Sequence, residues 1–316
     1  MKKIIIKSIV FLLILFLLLI VFSRIVIPKN NTEDAGIPSK FTRKYGILAE
    51  PENTIDVIVT GDSESYTSFI PLEAWHKYGY TSYVCGSPAQ KLPAVCSILY
   101  SALQEQQPKV IMLETNTIYK RTGLTAPLVE IVNKVLPVFE YHDRWKSLNS
   151  DDFFGKVEHT KILRDKGYYL RDTIKSGKNE DYMEESEKVA KIPKSNELYV
   201  KAIKKVCDNR GIEFVLYSAP SPINWNIKKH NGIEELAKEM GVDYLDLNMI
   251  PEEIKIDWTK DTRDKGDHLN HTGSLKTTNY LAKYLSEKNL PDHRKDKDYS
   301  AWEKAYKRYM NREIKK

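Results

Sequence analysis

Residues Ile55–Ser65 read IDVIVTGDSES, a β-branched apolar run that stops at a glycine and passes at once into helix-starting residues. A short run of this kind predicts a buried strand. Asp62, Ser63 and Ser65 all favour the first positions of a helix. The stretch therefore opens a strand–turn–helix unit, and the pattern repeats downstream. Tyr66–Tyr78 places Phe69, Leu72 and Trp75 at helical spacing, and TSYVCG (Thr81–Gly86) predicts a second strand. Leu92–Gln106 predicts a helix, KVIMLET (Lys109–Thr115) a third strand and Thr125–Phe139 a further helix. Beyond a polar stretch, Asn196–Asn209, Ile227–Met240 and His271–Lys288 predict helices, and Glu213–Pro220 and Val242–Leu247 strands. Strands alternating with helices imply an α/β domain, a parallel sheet with helices on both faces.

The N-terminus carries a different signal. Every residue from Ile9 to Phe22 is apolar, and Ile4–Ile6 and Ile25–Ile27 extend the stretch. At about 1.5 Å per residue, Ile4–Ile27 reaches roughly 36 Å, enough to cross a bilayer. Lys7 and Arg24 stand near its ends, where long side chains snorkel to the interface. The segment SRIVIPK offers no small-x-small cleavage site, so the expectation is an uncleaved transmembrane anchor over residues 1–28. Basic residues flank the core on both sides, and positive-inside counting does not orient it. The short cationic leader resembles an export signal, which places the C-terminal domain outside the cell membrane. Residues 29–51 then read as a stalk, 52–290 as the catalytic domain, with 140–195 a polar insertion or lid, and 291–316 as a charged, solvated C-terminal helix.

The formal net charge of +6 is spread along the 316 residues, and no basic arm of the kind that grips nucleic acid stands out. Cys85, Cys96 and Cys207 have neither zinc-site nor redox-pair spacing and read as small buried apolar residues.

In an open parallel sheet, ligands gather beyond the carboxyl ends of the strands. Four segments fall there: Thr60–Ser65, Cys85–Pro88, Glu114–Asn116 and Asp264–Asn270. A serine opening a helix exposes its hydroxyl and a backbone N–H without an intrahelical partner. Gly86 lets a second N–H approach closely, and Asn116 supplies a side-chain amide. Together they make an oxyanion site. His268, with Asp264 or Asp267 to orient it, serves as base for Ser63. No metal or organic cofactor is required, although His268, His271, Asp264 and Asp267 are residue types that also bind metals.

Gly61-Asp62-Ser63 resembles the first block of SGNH/GDSL hydrolases. Gly86 and Asn116 fall where that family's second and third blocks lie, and His268-Leu269-Asn270 resembles its terminal block. The resemblance covers about Ile55–Asn116 and Glu213–Ser286. It implies a three-layer, flavodoxin-like fold and a serine esterase or O-acyltransferase with Ser63 as nucleophile and His268 as base. Two departures stand out. The family's carboxylate precedes its histidine by three residues, where this chain has Lys265, and its third block is Gly-x-Asn-Asp, where this chain has Glu-Thr-Asn-Thr. With the anchor, the chain resembles the membrane-anchored surface branch, whose members modify teichoic acid or O-acetylate exopolysaccharides. That implies a surface glycan or wall polymer as substrate and a multi-spanning membrane acyltransferase as partner. The departures motivate a rival reading, a catalytically degenerate SGNH domain serving as a glycan-binding or scaffold subunit.

For substrate contacts, His142, Arg144 and Trp145 in the polar insertion suit a glycan or anion, and a locally packed lid is the plain alternative. Trp225, closing the fourth strand, either lines the cleft or buttresses it.

Overall fold

The computed structural model describes residues 2–32, 39–123, 125–178 and 181–314. Five strands, β1 (Val57–Thr60), β2 (Ser82–Val84), β3 (Val110–Glu114), β4 (Glu213–Ser218) and β5 (Asp243–Asp246), form one sheet in the order β2-β1-β3-β4-β5. Every pairing is parallel, with Val59 registered against both Val84 and Met112, and Glu114 against Tyr217.

Successive strand residues point to opposite faces, and each face has its own core. Ile58, Ile111, Leu113 and Leu216 pack on one side with Leu92–Glu105, Lys194–Arg210 and Ile227–Met240. Val57, Val59, Met112 and Val215 pack on the other with Leu281, Ala282 and Leu285 of the helix His271–Ser286. β1 and β3 are buried along their whole length because helices cover both faces. The α/β class with a doubly covered parallel sheet is as the sequence pattern implies.

The chain divides into two compact units, one of residues 43–122 and 162–316 that holds the sheet, the other of residues 1–42 and 123–161. This division changes the expected boundaries. The 140–195 insertion is not one element, since residues 140–161 belong to the second unit. Residues 162–193 lie without helix or strand, among the described residues, against the α/β unit. Tyr168 is buried there, and the buried Lys166 ammonium sits 2.8 Å from the Glu50 carboxylate. Part of the expected stalk is likewise structured. Gly46–Ala49 is a 3-10 turn, and Ile47 belongs to the core. The C-terminal helix Ser300–Ile314 is not a solvated tail, because it buries Trp302, Ala305 and Tyr309. Residues 33–38 of the stalk, 179–180 of the insertion and 315–316 of the tail lie outside the described residues.

The second unit contains the helix Lys2–Val26, whose apolar side chains are exposed until Ser23 and Val26 become buried at its end. It also contains the helices Ala126–Val135, Val138–Tyr141 and Ser150–Phe154 and the 3-10 turn His142–Ser147. Lys2–Val26 is long and apolar enough to cross a membrane.

Candidate active site

Between Val57 and Trp75 Ser63 is the single residue that is not buried. It follows β1 through Gly61-Asp62 and is the first residue of the helix Ser63–Ser68. Asp62 caps that helix, its Oδ1 accepting the Glu64 N–H at 2.9 Å, which fixes the turn beneath the serine. The same carboxylate, fully buried, receives Asn116 Nδ2 at 3.0 Å and Lys120 Nζ at 2.8 Å on Oδ2. Asp62 therefore joins the end of β1 to the end of β3. One of the two Asn116 amide protons goes to Asp62, which orients the other.

Gly86, after β2, closes on the same turn. A Cβ there would lie 2.8 Å from the Asp62 carbonyl oxygen and collide with Ser65 Oγ, so only glycine permits this approach. Gly86 and Asn116 are thus both anchored against the Asp62–Ser65 turn.

Two further carboxylates are buried beside Asp62. Glu64 and Glu114 are each raised well above the ordinary carboxylate range, chiefly by burial and then by neighbouring negative charge. For Lys120, burial opposes the charge, and the Asp62 carboxylate more than offsets it, so its pKa lies above the ordinary lysine value.

The histidine comes from the loop before the helix His271–Ser286. His268 Nδ1 lies 2.7 Å from Asp264 Oδ2, and its backbone N–H donates to Asp264 Oδ1 at 2.6 Å. Asp267 Oδ2 stands farther off, at 3.5 Å from Nδ1. The residue that separates Asp264 from the usual spacing is absorbed at Lys265 and Gly266, both left-handed with φ of 68° and 97°. That bulge folds the loop back until a carboxylate four residues upstream meets the ring. Burial alone would raise Asp264, but hydrogen bonds from the His268 ring and backbone outweigh it and hold the carboxyl below its usual range. With Nδ1 engaged, Nε2 is the ring nitrogen that can exchange a proton with a substrate.

Asn224 ties the two halves together. Its Nδ2 donates to Glu64 Oε1 and to Asp267 Oδ1, both at 2.6 Å. One bridge thus connects the neighbour of Ser63 with the neighbour of His268. Glu64, Asp267 and His268 consequently offer ligand atoms that all lie within 4.8 Å of one another.

Other expected contacts fall elsewhere. Trp225 does not line a cleft: it is buried, and its Nε1 donates to Asp246 Oδ2 at 2.9 Å, bracing the loop that carries Asn224. His271 is not at the surface but buried, with Tyr168 Oη 3.1 Å from Nδ1 and Tyr309 Oη 3.3 Å from Nε2. Burial, with a smaller contribution from Arg312, lowers its pKa to about 4. His142, Arg144 and Trp145 belong to the other unit. Arg144 is buried there, pairing with Asp152 at 2.6 Å and donating to the Val26 carbonyl, whereas His142 and Trp145 are exposed.

Glu64, Lys120 and Asn224 were not singled out from the sequence. Glu64 adjoins Ser63 and Asn224 adjoins Trp225, but nothing local marks a residue as a bridge across 160 positions.

The chain matches no protein-family model, and no curated protein matches it in sequence. Among solved structures it is similar to an acetyl xylan esterase, with 13% identity, a TM-score of 0.37, and coverage of 74% of this chain and 100% of that one. A lipase/acylhydrolase from Enterococcus faecalis is similar at 11% identity and a TM-score of 0.37, covering 75% and 98% of the two chains. A GDSL-like lipase from Bacteroides thetaiotaomicron is similar at 12% identity and a TM-score of 0.35, covering 82% and 95%.

Proposed function

We propose that the chain is a membrane-anchored serine esterase or O-acyltransferase of the SGNH/GDSL type, acting on acyl esters of a cell-surface polysaccharide or wall polymer. The observation that carries this reading is the accessible Ser63 on an otherwise buried turn, whose neighbour Glu64 is bridged by Asn224 to Asp267, the neighbour of a His268 whose Nδ1 is held by Asp264.

In the proposed reaction, Ser63 Oγ attacks the acyl carbonyl while His268 Nε2 accepts its proton, and Asp264 stabilises the imidazolium. The carbonyl oxygen, now negative, is held by the Ser63 and Gly86 N–H groups and the Asn116 amide. Collapse breaks the ester bond, and the leaving alcohol takes the proton from His268. The acyl group then passes from Ser63 to water, giving free acid, or to a sugar hydroxyl, giving a new ester.

The helix Lys2–Val26 is read as the anchor, with the α/β unit outside the cell. A domain tethered there shares a thin layer with polymer hydroxyls and with a donor from a neighbouring multi-spanning acyltransferase. High effective concentration lets such an acceptor outcompete water. Transfer is therefore the proposed physiological reaction, with hydrolysis as leakage. The rival reading, a degenerate binding subunit, rests on the Lys265 spacing and on the Glu-Thr-Asn-Thr third block; the Asp264–His268 contact speaks against the first of these grounds, and the third-block departure remains.

The test is hydrolysis of p-nitrophenyl acetate by the full chain in mild detergent. Ser63→Ala and His268→Ala are each expected to lower turnover by about 10³-fold, with the double variant little worse than either. Wild-type rate in Ser63→Ala, or full additivity, refutes the assignment. Supplying oligosaccharide acceptors then separates the outcomes: acylated sugar marks a transferase, and free acid with every acceptor marks an esterase.

A further inference from the structure

The unit that contains Lys2–Val26 has most of its large apolar residues on the outside, with Val26 and Val138 buried among the described residues. In the helix Ala126–Val135, Leu128, Ile131 and Val135 fall at i, i+3 and i+7 and share one face. A helix in a water-soluble protein turns such a stripe inward, yet these side chains are 61%, 61% and 59% exposed. Phe139, Trp145 and Phe154 follow within the same unit at 51%, 60% and 91% exposure. Isolated exposed apolar residues need no explanation, but a run concentrated in one small unit does.

What covers them follows from where the segment is fastened. Val138 N–H donates to Ser23 Oγ at 3.2 Å, and Arg144 Nη1 donates to the Val26 carbonyl at 2.5 Å. Just beyond the helix, Glu158 N–H donates to the Lys29 carbonyl at 2.7 Å, and Asn31 exchanges two 2.8 Å bonds with the Lys161 backbone. The buried Arg144–Asp152 ion pair locks the segment onto this exit. The short helices are thus fixed to the last turn of Lys2–Val26, immediately after its exposed apolar stretch ends at Phe22. If that helix spans a bilayer, its last turn lies at the headgroups, the depth at which amphipathic helices and aromatic side chains settle.

We propose that residues 126–154 form a platform that lies in the membrane interface, with Leu128, Ile131, Val135, Phe139, Trp145 and Phe154 seated among lipid acyl chains. This rests on the anchor reading above. The platform makes a second, in-plane attachment beside the spanning helix, and it assigns Trp145 to lipid rather than to sugar.

The test places a spin label at Leu128→Cys, Ile131→Cys or Phe154→Cys, one at a time, in the full chain with Cys96→Ser. The protein is reconstituted into phosphatidylcholine–phosphatidylglycerol vesicles. Leu15→Cys reports the spanning helix, and Leu198→Cys, 69% exposed on the α/β unit, reports water. Oxygen, which concentrates in lipid, is expected to relax the three platform labels several-fold more than a water-soluble nickel complex, as it does Leu15. Platform labels that behave like Leu198 while Leu15 stays in lipid overturn the platform and leave the anchor standing. Platform labels shielded from both reagents overturn it in favour of a protein contact. A Leu15 label open to the nickel complex overturns the anchor and the platform together.

Discussion

The two units bury opposite things. In the α/β unit, Ile58, Leu113 and Leu216 are fully buried, and the buried carboxylates Asp62 and Asp246 are held by Asn116 and Trp225. In the N-terminal unit, the polar Arg144–Asp152 pair is inside, while Leu128, Ile131 and Phe154 face outward. Both obey one rule, that side chains go where their surroundings match them. The difference lies in the surroundings. A sheet with two covered faces supplies its own apolar interior, whereas the short helical pieces after Ala126 do not, and their outward stripe is left exposed.

Two kinds of carboxylate stand in the α/β unit. Asp264 is partly exposed and held below its ordinary pKa by hydrogen bonds from His268, while Glu64 and Glu114 are sealed in and pushed up. Asp264→Asn is the strongest way to break this distinction. Losing the carboxylate that fixes the His268 tautomer is expected to lower esterase turnover by about 10²-fold or more. Asp267→Asn, which changes a group 3.5 Å away, is expected to cost less than tenfold. Equal losses in both variants, at equal folding stability, would show that the ring uses the other carboxylate.

A second experiment compares the interiors themselves. Leu113→Ala empties a fully buried site on β3 and is expected to cost about 2–5 kcal/mol in chemical denaturation. Leu128→Ala, on the exposed stripe, is expected to stay within about 0.5 kcal/mol in detergent. A large loss at Leu128 would mean that the stripe is packed against protein.

The smallest expected effect concerns His271. With a pKa near 4 in the folded chain against 6.5 ordinarily, it binds fewer protons folded than unfolded between those values. Stability therefore rises with pH through that window and falls as pH drops from about 6.5 toward 4. His271→Gln is expected to make the dependence of the thermal midpoint on pH shallower over this range. An unchanged slope would show that the ring is not kept neutral by burial.

Much of the architecture was legible locally. β-branched runs such as Val57–Thr60 announce strands because their side chains suit a pleated, doubly covered surface. The uninterrupted apolar stretch Ile9–Phe22 announces a helix long and apolar enough to cross a membrane. The position of Ser63, Gly86 and Asn116 beyond strand ends was also readable, because each closely follows an apolar strand run. The periodic spacing of Tyr299–Arg312 was misleading, since tyrosine and tryptophan carry both an apolar body and a polar tip, and the pattern alone does not tell which end is buried. Trp302 and Tyr309 prove to be core residues.

The sequence by itself thus determined the strand–helix alternation, the membrane-length apolar helix and the serine and histidine at opposite ends of the domain. Each of these is encoded in a few neighbouring residues, through side-chain shape, hydrophobic period and turn chemistry. Tertiary structure alone decided that Asp264 rather than Asp267 meets Nδ1, that Lys120 pairs with Asp62, and that Asn224 joins Glu64 to Asp267. It also decided that residues 140–161 leave the α/β unit. The physical reason is that these contacts depend on strand register and loop backbone angles across up to 160 residues, among them the left-handed turn at Lys265 and Gly266. Local pattern carries no information about which distant loop the sheet will bring alongside.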